Sequence, residues 1–138
     1  MTLIDQQREV IAAHIPVPVG SISGEKEPDQ WRDTSLWARL LRDYRIIVST
    51  PQVLLDALRH GYISLGRDIG LIVFDEAHHA IAKHPYNEIM QTFYHPLPRP
   101  ENAFTGDFVR PAILGLTASP IYGGHVEKSF RCVFDGFV

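Results

Sequence analysis

Cysteine is almost absent from this sequence. The 138 residues contain a single cysteine, Cys132, which excludes an internal disulfide framework and a cysteine-rich zinc site. Long apolar runs are lacking too, because no stretch approaches the roughly 20 consecutive apolar residues of a membrane span. The first residues also lack the basic and then apolar profile of a signal peptide. These features predict a protein of the cytosol or the nucleus.

Positive charge is also in short supply. Thirteen Lys and Arg residues stand against sixteen Asp and Glu residues, for a formal net charge of −3. Proteins that hold nucleic acids through a bulk basic surface neutralise many phosphates with Lys and Arg, and this composition does not favour such a surface. Any contact with RNA is therefore expected to be local. The hydrophobic content of 45% is ordinary for a domain with a buried core.

The apolar pattern predicts an α/β fold. Short apolar runs rich in β-branched residues predict buried strands at residues 17–21, 45–49, 71–74 and 112–116. Helical spacing predicts helices at residues 5–14, 35–44, 51–60 and 86–94, with Thr34 or Ser35 capping the second helix and Thr50 the third. Residues 20–30 and 95–111 are predicted to be irregular. Because parallel neighbours need crossover connections, this alternation favours a parallel sheet with helices on its faces.

An acidic pair follows the third predicted strand. Asp75 and Glu76 come directly after the apolar run 71–74, and Ala77 and His78 complete the string. Ligands of open α/β sheets bind at the carboxyl ends of the strands, so the two carboxylates are candidates for metal binding and for general base catalysis. Two alternatives stay open at this point. Asp75 could simply cap a following helix, or zinc could be held by His78, His79 and His84, although their spacing is not His-Glu-x-x-His.

Two hydroxyl groups follow the fourth predicted strand. Thr117 and Ser119 come after the run 112–116, and parallel strands bring them to the same sheet edge as Asp75. Hydroxyls there can bond an imidazole or a phosphate. In isolation, a Ser/Thr-Pro turn is the simpler interpretation. We expect Asp75 and Thr117 to lie at one edge, with their side chains near His78.

Several strings resemble a known family. The string DEAH at 75–78 resembles motif II of superfamily 2 helicases, and LTASP at 116–120 resembles motif III. The strings IIVSTPQVLLDALRHG at 46–61, HHA at 78–80, HPYN at 84–87 and FYHP at 93–96 are similar to the helicase region of Dicer-like endoribonucleases, fungal ones above all. Gln6 and Gln7 resemble the end of motif Ia, and residues 22–24 resemble motif Ib. The resemblance covers roughly residues 2–124.

The resemblance implies a fold, a chemistry and partners. It implies a partial RecA-like domain of the P-loop NTPase class, at residues 1–124, in an ATP-driven motor that acts on double-stranded RNA. Asp75 would order Mg²⁺ through water, Glu76 would act on the attacking water, and His78 would couple nucleotide state to Thr117 and Ser119. The residues implied to contact RNA are Gln7, Ser23, Gly24, Thr50 and Pro51. The implied partners are a second RecA-like domain and RNase III domains, and the implied role is RNA silencing and antiviral defence.

The sequence departs from the family pattern in three ways. No glycine-rich Gly-Lys-Thr phosphate loop occurs in it, the 138 residues end before the point where the family has its second RecA-like domain, and residues 125–138 read differently from the family. We therefore expect the 138-residue chain alone not to hydrolyse ATP, and to be aggregation-prone or partly ordered around Leu114 and Leu116. Two alternatives stay open: a non-catalytic regulatory or binding module, and the helicase domain of a retinoic-acid-inducible-type RNA sensor.

Overall fold

The computed structural model describes residues 1–24, 33–79, 83–99 and 109–118. The chain divides into two compact units, Met1–Ile63 and Ser64–Val138, and each unit is described by itself. Both combine helices with a pair of parallel strands. No helix in these described stretches is long and apolar enough to cross a membrane.

The first unit contains three helices and two strands. They are α1 (Leu3–His14), β1 (Val19–Ile22), α2 (Thr34–Asp43), β2 (Ile46–Ser49) and α3 (Pro51–Arg59). The strands pair in parallel, with Val19 opposite Ile46 and Ile22 opposite Ser49, and α1 packs on both. The predicted first strand, 17–21, starts two residues before β1 and ends one residue before it, and part of the stretch predicted to be irregular is β1. Pro18 explains the late start, because proline cannot donate to a strand ladder.

Side chains at the helix starts account for where the helices begin. Thr2 and Asp5 form a capping box on α1, in which Thr2 Oγ1 accepts from the Asp5 amide at 3.3 Å and Asp5 Oδ2 accepts from the Thr2 amide at 3.2 Å. Thr50 caps α3 as predicted, by accepting from the Val53 amide at 3.4 Å. The cap predicted for α2 was wrong. Asp33 takes that place and accepts from the Ser35 amide at 2.8 Å, since its carboxylate reaches the amides of the first turn.

The core of the first unit comes mainly from α2 and α3. Trp37 is 2% exposed and packs in this core. The other buried apolar residues of this unit are Val19, Leu40, Val53, Leu55, Ala57, Leu58 and Ile63. They recur at helical spacing along α3, as expected for an amphipathic helix on a core.

Gly20 in β1 lies directly under the aromatic ring of Tyr44. A methyl carbon added at position 20 would lie 2.6 Å from Cδ2 and 2.7 Å from Cγ of Tyr44, well inside the usual carbon–carbon separation of about 3.5–4.0 Å. We expect Gly20→Ala to lower the free energy of unfolding by about 1–3 kcal/mol, as overpacking does. Urea denaturation measures this change. In a Tyr44→Ala background the same substitution is expected to cost far less, and equal costs in both backgrounds would contradict the close packing.

The second unit has shorter elements. They are α4 (Leu65–Asp68), β3 (Leu71–Phe74), a 3₁₀ turn (Ala77–His79), α5 (Pro85–Glu88), a π-helix (Ile89–Tyr94) and β4 (Ala112–Gly115). The strand predicted at 71–74 is confirmed without change. The helix predicted at 86–94 is instead one α-turn followed by the π-helix, and α4 was not predicted. Ile89 and Met90 are buried in the π-helix, so packing outweighs its poorer hydrogen bonding.

The strands β3 and β4 pair in parallel, with Leu71 opposite Ala112 and Phe74 opposite Gly115. Successive strand residues point to opposite faces. On one face, Ile72 and Phe74 are buried. On the other, four apolar side chains are about half exposed: Leu71 (56%), Val73 (49%), Leu114 (47%) and Leu116 (46%). These four residues form the open apolar face. The exposure of Leu114 and Leu116 agrees with the predicted tendency to aggregate, which stays a prediction.

Candidate functional site

The predicted site residues of the second unit meet beyond the carboxyl ends of β3 and β4. Backbone pairing continues past the strands, because the Leu116 amide donates to the Phe74 carbonyl at 2.8 Å and the Ala77 amide donates to the Leu116 carbonyl at 2.8 Å. Asp75 and Glu76 leave β3 at this edge, and Thr117 leaves β4 beside them. The prediction that Asp75 and Thr117 share one edge of a parallel sheet is confirmed.

His78 joins the two strand ends. Its Nδ1 lies 2.8 Å from Thr117 Oγ1 and 3.2 Å from Glu76 Oε2. The ring is mostly buried, with 16% of its side chain exposed, whereas 55% of the Glu76 side chain is exposed. The predicted approach of His78 to Thr117 is confirmed, and Ser119 lies outside the described residues. The imidazole thus connects the acidic pair with a hydroxyl 39 positions away in the sequence.

The acidic pair has a constrained backbone. Glu76 adopts a φ of 53°, and it is the one non-glycine residue with positive φ among those described. This left-handed conformation costs roughly 1–2 kcal/mol for a residue with a Cβ atom and persists only where the surroundings determine it. Two hydrogen bonds flank the residue: the Glu76 amide donates to Asp75 Oδ1 at 3.0 Å, and the Ala77 amide donates to Leu116. Ala77 itself is fully buried.

Tyr86 is a residue of this site that the sequence did not single out. Its hydroxyl donates to the Asp75 carbonyl at 2.7 Å, and its ring lies 4.5 Å from the Phe74 ring, centroid to centroid. Burial raises the pKa of its phenol, and the negative charges of Asp75 and Glu76 raise it further, so the hydroxyl stays protonated as a donor. The sequence analysis included Tyr86 in the string 84–87 and at the start of the predicted helix 86–94, without a functional role.

The residues implied to contact RNA lie in the first unit. Ile22 pairs with Ser49, so Ser23 and Gly24 leave β1 at the edge where Thr50 and Pro51 leave β2. Ser23 is 9% exposed. Gln7 lies half-buried in α1, the helix that packs on both strands. The structure thus brings four of these five residues to one sheet edge and places the fifth on the adjoining helix.

Comparison with known proteins decides the family. The protein family described as "Type III restriction enzyme, res subunit" matches residues 2–122. The chain belongs to this family. Its fold is similar to that of the Pyrococcus furiosus Hef helicase domain, with a TM-score of 0.65, 30% sequence identity, and coverage of 95% of this chain and 25% of that one. The expected partial RecA-like α/β fold is therefore confirmed for this res-subunit family member.

Its sequence relatives include Dicer-like proteins. It is 45% identical over 117 residues to Dicer-like protein 2 of Aspergillus oryzae, covering 84% of this chain and 8% of the relative. It is 43% identical over 122 residues to Dicer-like protein 2 of Aspergillus fumigatus, covering 88% and 8%. It is 41% identical over 130 residues to Endoribonuclease Dicer homolog 1 of Arabidopsis thaliana, covering 94% and 6%. The resemblance to the helicase region of Dicer-like proteins is confirmed, and the chain spans under a tenth of the length of these relatives.

The donor set at this edge fits magnesium better than zinc. Mg²⁺ is held by one or two carboxylates together with substrate phosphates and waters, and Asp75 and Glu76 are both exposed at the sheet edge. One Asp75 oxygen accepts from the Glu76 amide, and a carboxylate has about four acceptor positions. Across the described residues, no three His, Cys, Asp or Glu side chains form a group suited to a metal. The alternative of zinc held by His78, His79 and His84 gains no support there.

Because Glu76 has a positive φ, glycine is expected to be a less destabilising replacement at this position than alanine. Glycine tolerates φ > 0 without steric cost, whereas alanine does not. Both substitutions remove the Glu76 carboxylate and its contact with His78, so they differ only in the backbone. We expect Glu76→Gly to be more stable than Glu76→Ala by roughly 0.5–1 kcal/mol, measured by urea denaturation. Equal stability, or a more stable alanine variant, would show that position 76 is not left-handed in solution.

Proposed function

We propose that this res-subunit family member supplies two sets of residues to an ATP-dependent helicase or translocase motor. The first is the acidic box, Asp75 and Glu76, and the second is the set of coupling residues, His78, Thr117 and Ser119. The motor acts on double-stranded RNA and belongs to a Dicer-like ribonuclease that functions in RNA silencing and antiviral defence. The observation that carries the proposal is the 2.8 Å contact of His78 with Thr117. It joins an acidic pair at the end of one strand to a hydroxyl at the end of the parallel neighbour, as a nucleotide-sensing edge requires.

The two carboxylates have separate roles in this proposal. Bound ATP and Mg²⁺ would supply the phosphoryl group and neutralise the charge that develops during its transfer. Asp75 orders the metal through water. Glu76 accepts a proton from, or orients, the attacking water, because its side chain is exposed and its carboxylate also reaches His78. The fixed backbone around Glu76 supports this role, since a general base acts only from a defined position.

His78 is the coupling residue. Its Nδ1 is within 3.2 Å of Glu76 and within 2.8 Å of Thr117, so a change in the position of the Glu76 carboxylate alters the partners of the imidazole. Thr117 and, in this proposal, Ser119 pass that change to the segment after β4. His78 would then link ATP hydrolysis at Glu76 to a conformational change in the segment after β4.

RNA contacts are proposed for the edge formed by β1 and β2. The amino terminus of α3 begins there at Pro51, and helix amino termini attract phosphates through their exposed amides and dipole. Gly24, Thr50 and Gln7 would contact phosphate and sugar groups, and the buried Ser23 would contribute its backbone. Contacts to phosphate and sugar position a strand and read no sequence. This local mode agrees with the net charge of −3.

The other proposed features belong to the whole protein. The motor would close its nucleotide site against a second RecA-like domain, deliver RNA to RNase III domains, and work in the cytoplasm or the nucleus. Their support is the similarity to Dicer-like proteins over most of this chain.

A chimera tests the proposal. The 117 residues that match the Aspergillus oryzae relative at 45% identity replace the corresponding segment of that protein, and ATP hydrolysis is measured with and without double-stranded RNA. We expect hydrolysis that double-stranded RNA stimulates, as in the parent protein measured alongside. A folded chimera that binds RNA without hydrolysing ATP would contradict the proposal and favour a non-catalytic binding module.

A further inference from the structure

We propose that Tyr86 is a positioning residue, which clamps the Asp75–Glu76 peptide so that the two carboxylates keep their separate directions. This inference rests on the proposed function, because it assigns the clamp to the acidic pair that acts in hydrolysis. Tyr86 touches neither carboxylate group through its hydroxyl. Its bond is to the Asp75 backbone carbonyl, at 2.7 Å, so any effect on the chemistry passes through the main chain.

Both polar atoms of this peptide are held. Its carbonyl oxygen accepts from the Tyr86 hydroxyl, and its amide donates to Asp75 Oδ1 at 3.0 Å. A peptide group is planar, so two bonds on opposite sides fix the orientation of the whole plane. That plane sets ψ of Asp75 and φ of Glu76, the two angles that decide where the two side chains leave the backbone.

The next peptide is held as well. Its amide, that of Ala77, donates to the Leu116 carbonyl at 2.8 Å, and the fully buried side chain of Ala77 prevents a large shift. Glu76 therefore lies between two fixed planes, which explains how it keeps a φ of 53° against a steric cost. β4 fixes one plane, and Tyr86 of α5 fixes the other. Without the tyrosine hydroxyl, the plane before Glu76 loses the bond at its carbonyl oxygen and keeps the bond from its amide to the Asp75 carboxylate.

Tyr86 is itself well placed for this task. It lies in the first turn of α5, where its amide donates to His84 Nδ1 at 3.2 Å. Its ring contacts the rings of Phe74, at 4.5 Å, and His84, at 4.6 Å between centroids. These ring contacts do not involve the hydroxyl, so a phenylalanine preserves them.

The kinetic test is Tyr86→Phe in the Aspergillus oryzae chimera. We expect kcat for ATP hydrolysis to fall by up to about tenfold, the factor that corresponds to one net hydrogen bond. KM for ATP is expected to change by less than about twofold, because the hydroxyl does not contribute to binding. The matched control is Tyr44→Phe, which removes a hydroxyl from a partly exposed tyrosine of the first unit. A merely structural role would lower the thermal stability of Tyr86→Phe without this split between kcat and KM.

A second measurement follows the peptide directly. In the chimera, amide exchange and the backbone resonances of selectively labelled residues 75–77 are compared for wild type, Tyr86→Phe and Tyr44→Phe. We expect the Glu76 amide to exchange faster and its resonance to shift in Tyr86→Phe alone. Unchanged resonances would overturn the clamp.

The possible outcomes separate the two proposals. If Glu76→Gln abolishes hydrolysis while Tyr86→Phe has the kcat of Tyr44→Phe, the positioning role is overturned and the proposed function stands. If Glu76→Gln leaves hydrolysis intact, the proposed function fails and the positioning role in hydrolysis fails with it. A lowered kcat together with shifted resonances supports both.

Discussion

Glu76→Gln in the chimera is expected to lower ATP hydrolysis by about 10²–10⁴-fold, the usual contribution of a positioned general base. Glutamine keeps the size of the side chain and its ability to hydrogen-bond, but it cannot accept a proton at neutral pH. ATP binding is therefore expected to persist. The measurements are steady-state phosphate release and the affinity for a fluorescent ATP analogue. The contact of Glu76 with His78 at 3.2 Å remains available to the amide oxygen, so the fold is expected to be preserved.

The matched control is Glu9→Gln. Glu9 lies on α1 with 54% of its side chain exposed, and it pairs with its neighbour Arg8, at 3.4 Å. Exposed pairs of this kind contribute about 0–1 kcal/mol, so this variant is expected to keep wild-type activity. If Glu76→Gln hydrolyses ATP within a few-fold of the wild-type rate, Glu76 is not the general base, and the roles assigned to Asp75 and Glu76 are wrong.

Leu55→Ala is expected to be strongly destabilising to the first unit. Leu55 lies in the middle of α3 and is 2% exposed. Truncating a fully buried leucine removes its transfer free energy and leaves a cavity, at a cost of about 2–5 kcal/mol. The whole stability of a small domain is about 5–15 kcal/mol, so the loss is a large fraction of it. Urea denaturation followed by tryptophan fluorescence measures it, since Trp37 is buried in the same unit.

The neighbouring residue supplies the control. Leu54 is half-buried, and its truncation removes the same atoms from a site that water already reaches in part. Leu54→Ala is expected to cost less than half as much as Leu55→Ala. Equal losses would mean that the face of α3 that packs on the core is not the one described.

The strands and the acidic box were predictable because their signals are local. The run 71–74 is apolar throughout and ends in two carboxylates, so the strand and its functional end coincide, and the observed β3 has these bounds. The Thr50-Pro51 start of α3 was predictable for the same reason, since a hydroxyl cap and a proline at the first helical position act within one turn. The meeting of His78 with Thr117 followed from parallel pairing, because parallel strands place their carboxyl ends side by side.

The parts that were not predicted depend on contacts between distant residues. Tyr86 reaches the Asp75 carbonyl across 11 positions, and no local pattern marks that contact. The π-helix at Ile89–Tyr94 is set by the burial of Ile89 and Met90, whereas its sequence spacing suits an ordinary α-helix. The left-handed backbone conformation of Glu76 could not be predicted from the sequence, for a similar reason. Glutamate has no preference for positive φ, and only the bonds around residues 75–77 impose it.

The open apolar face of Leu71, Val73, Leu114 and Leu116 has a practical consequence for handling the protein. Four aliphatic side chains about half exposed on one flat strand pair form the kind of surface that drives association between copies. The result of an assay on the 138-residue chain would then depend on protein concentration, because associated copies bury apolar surface that is exposed to solvent in a single copy. Light scattering at the working concentration is accordingly the first measurement to make, and a charged substitution at Val73 is the simplest way to keep the copies apart.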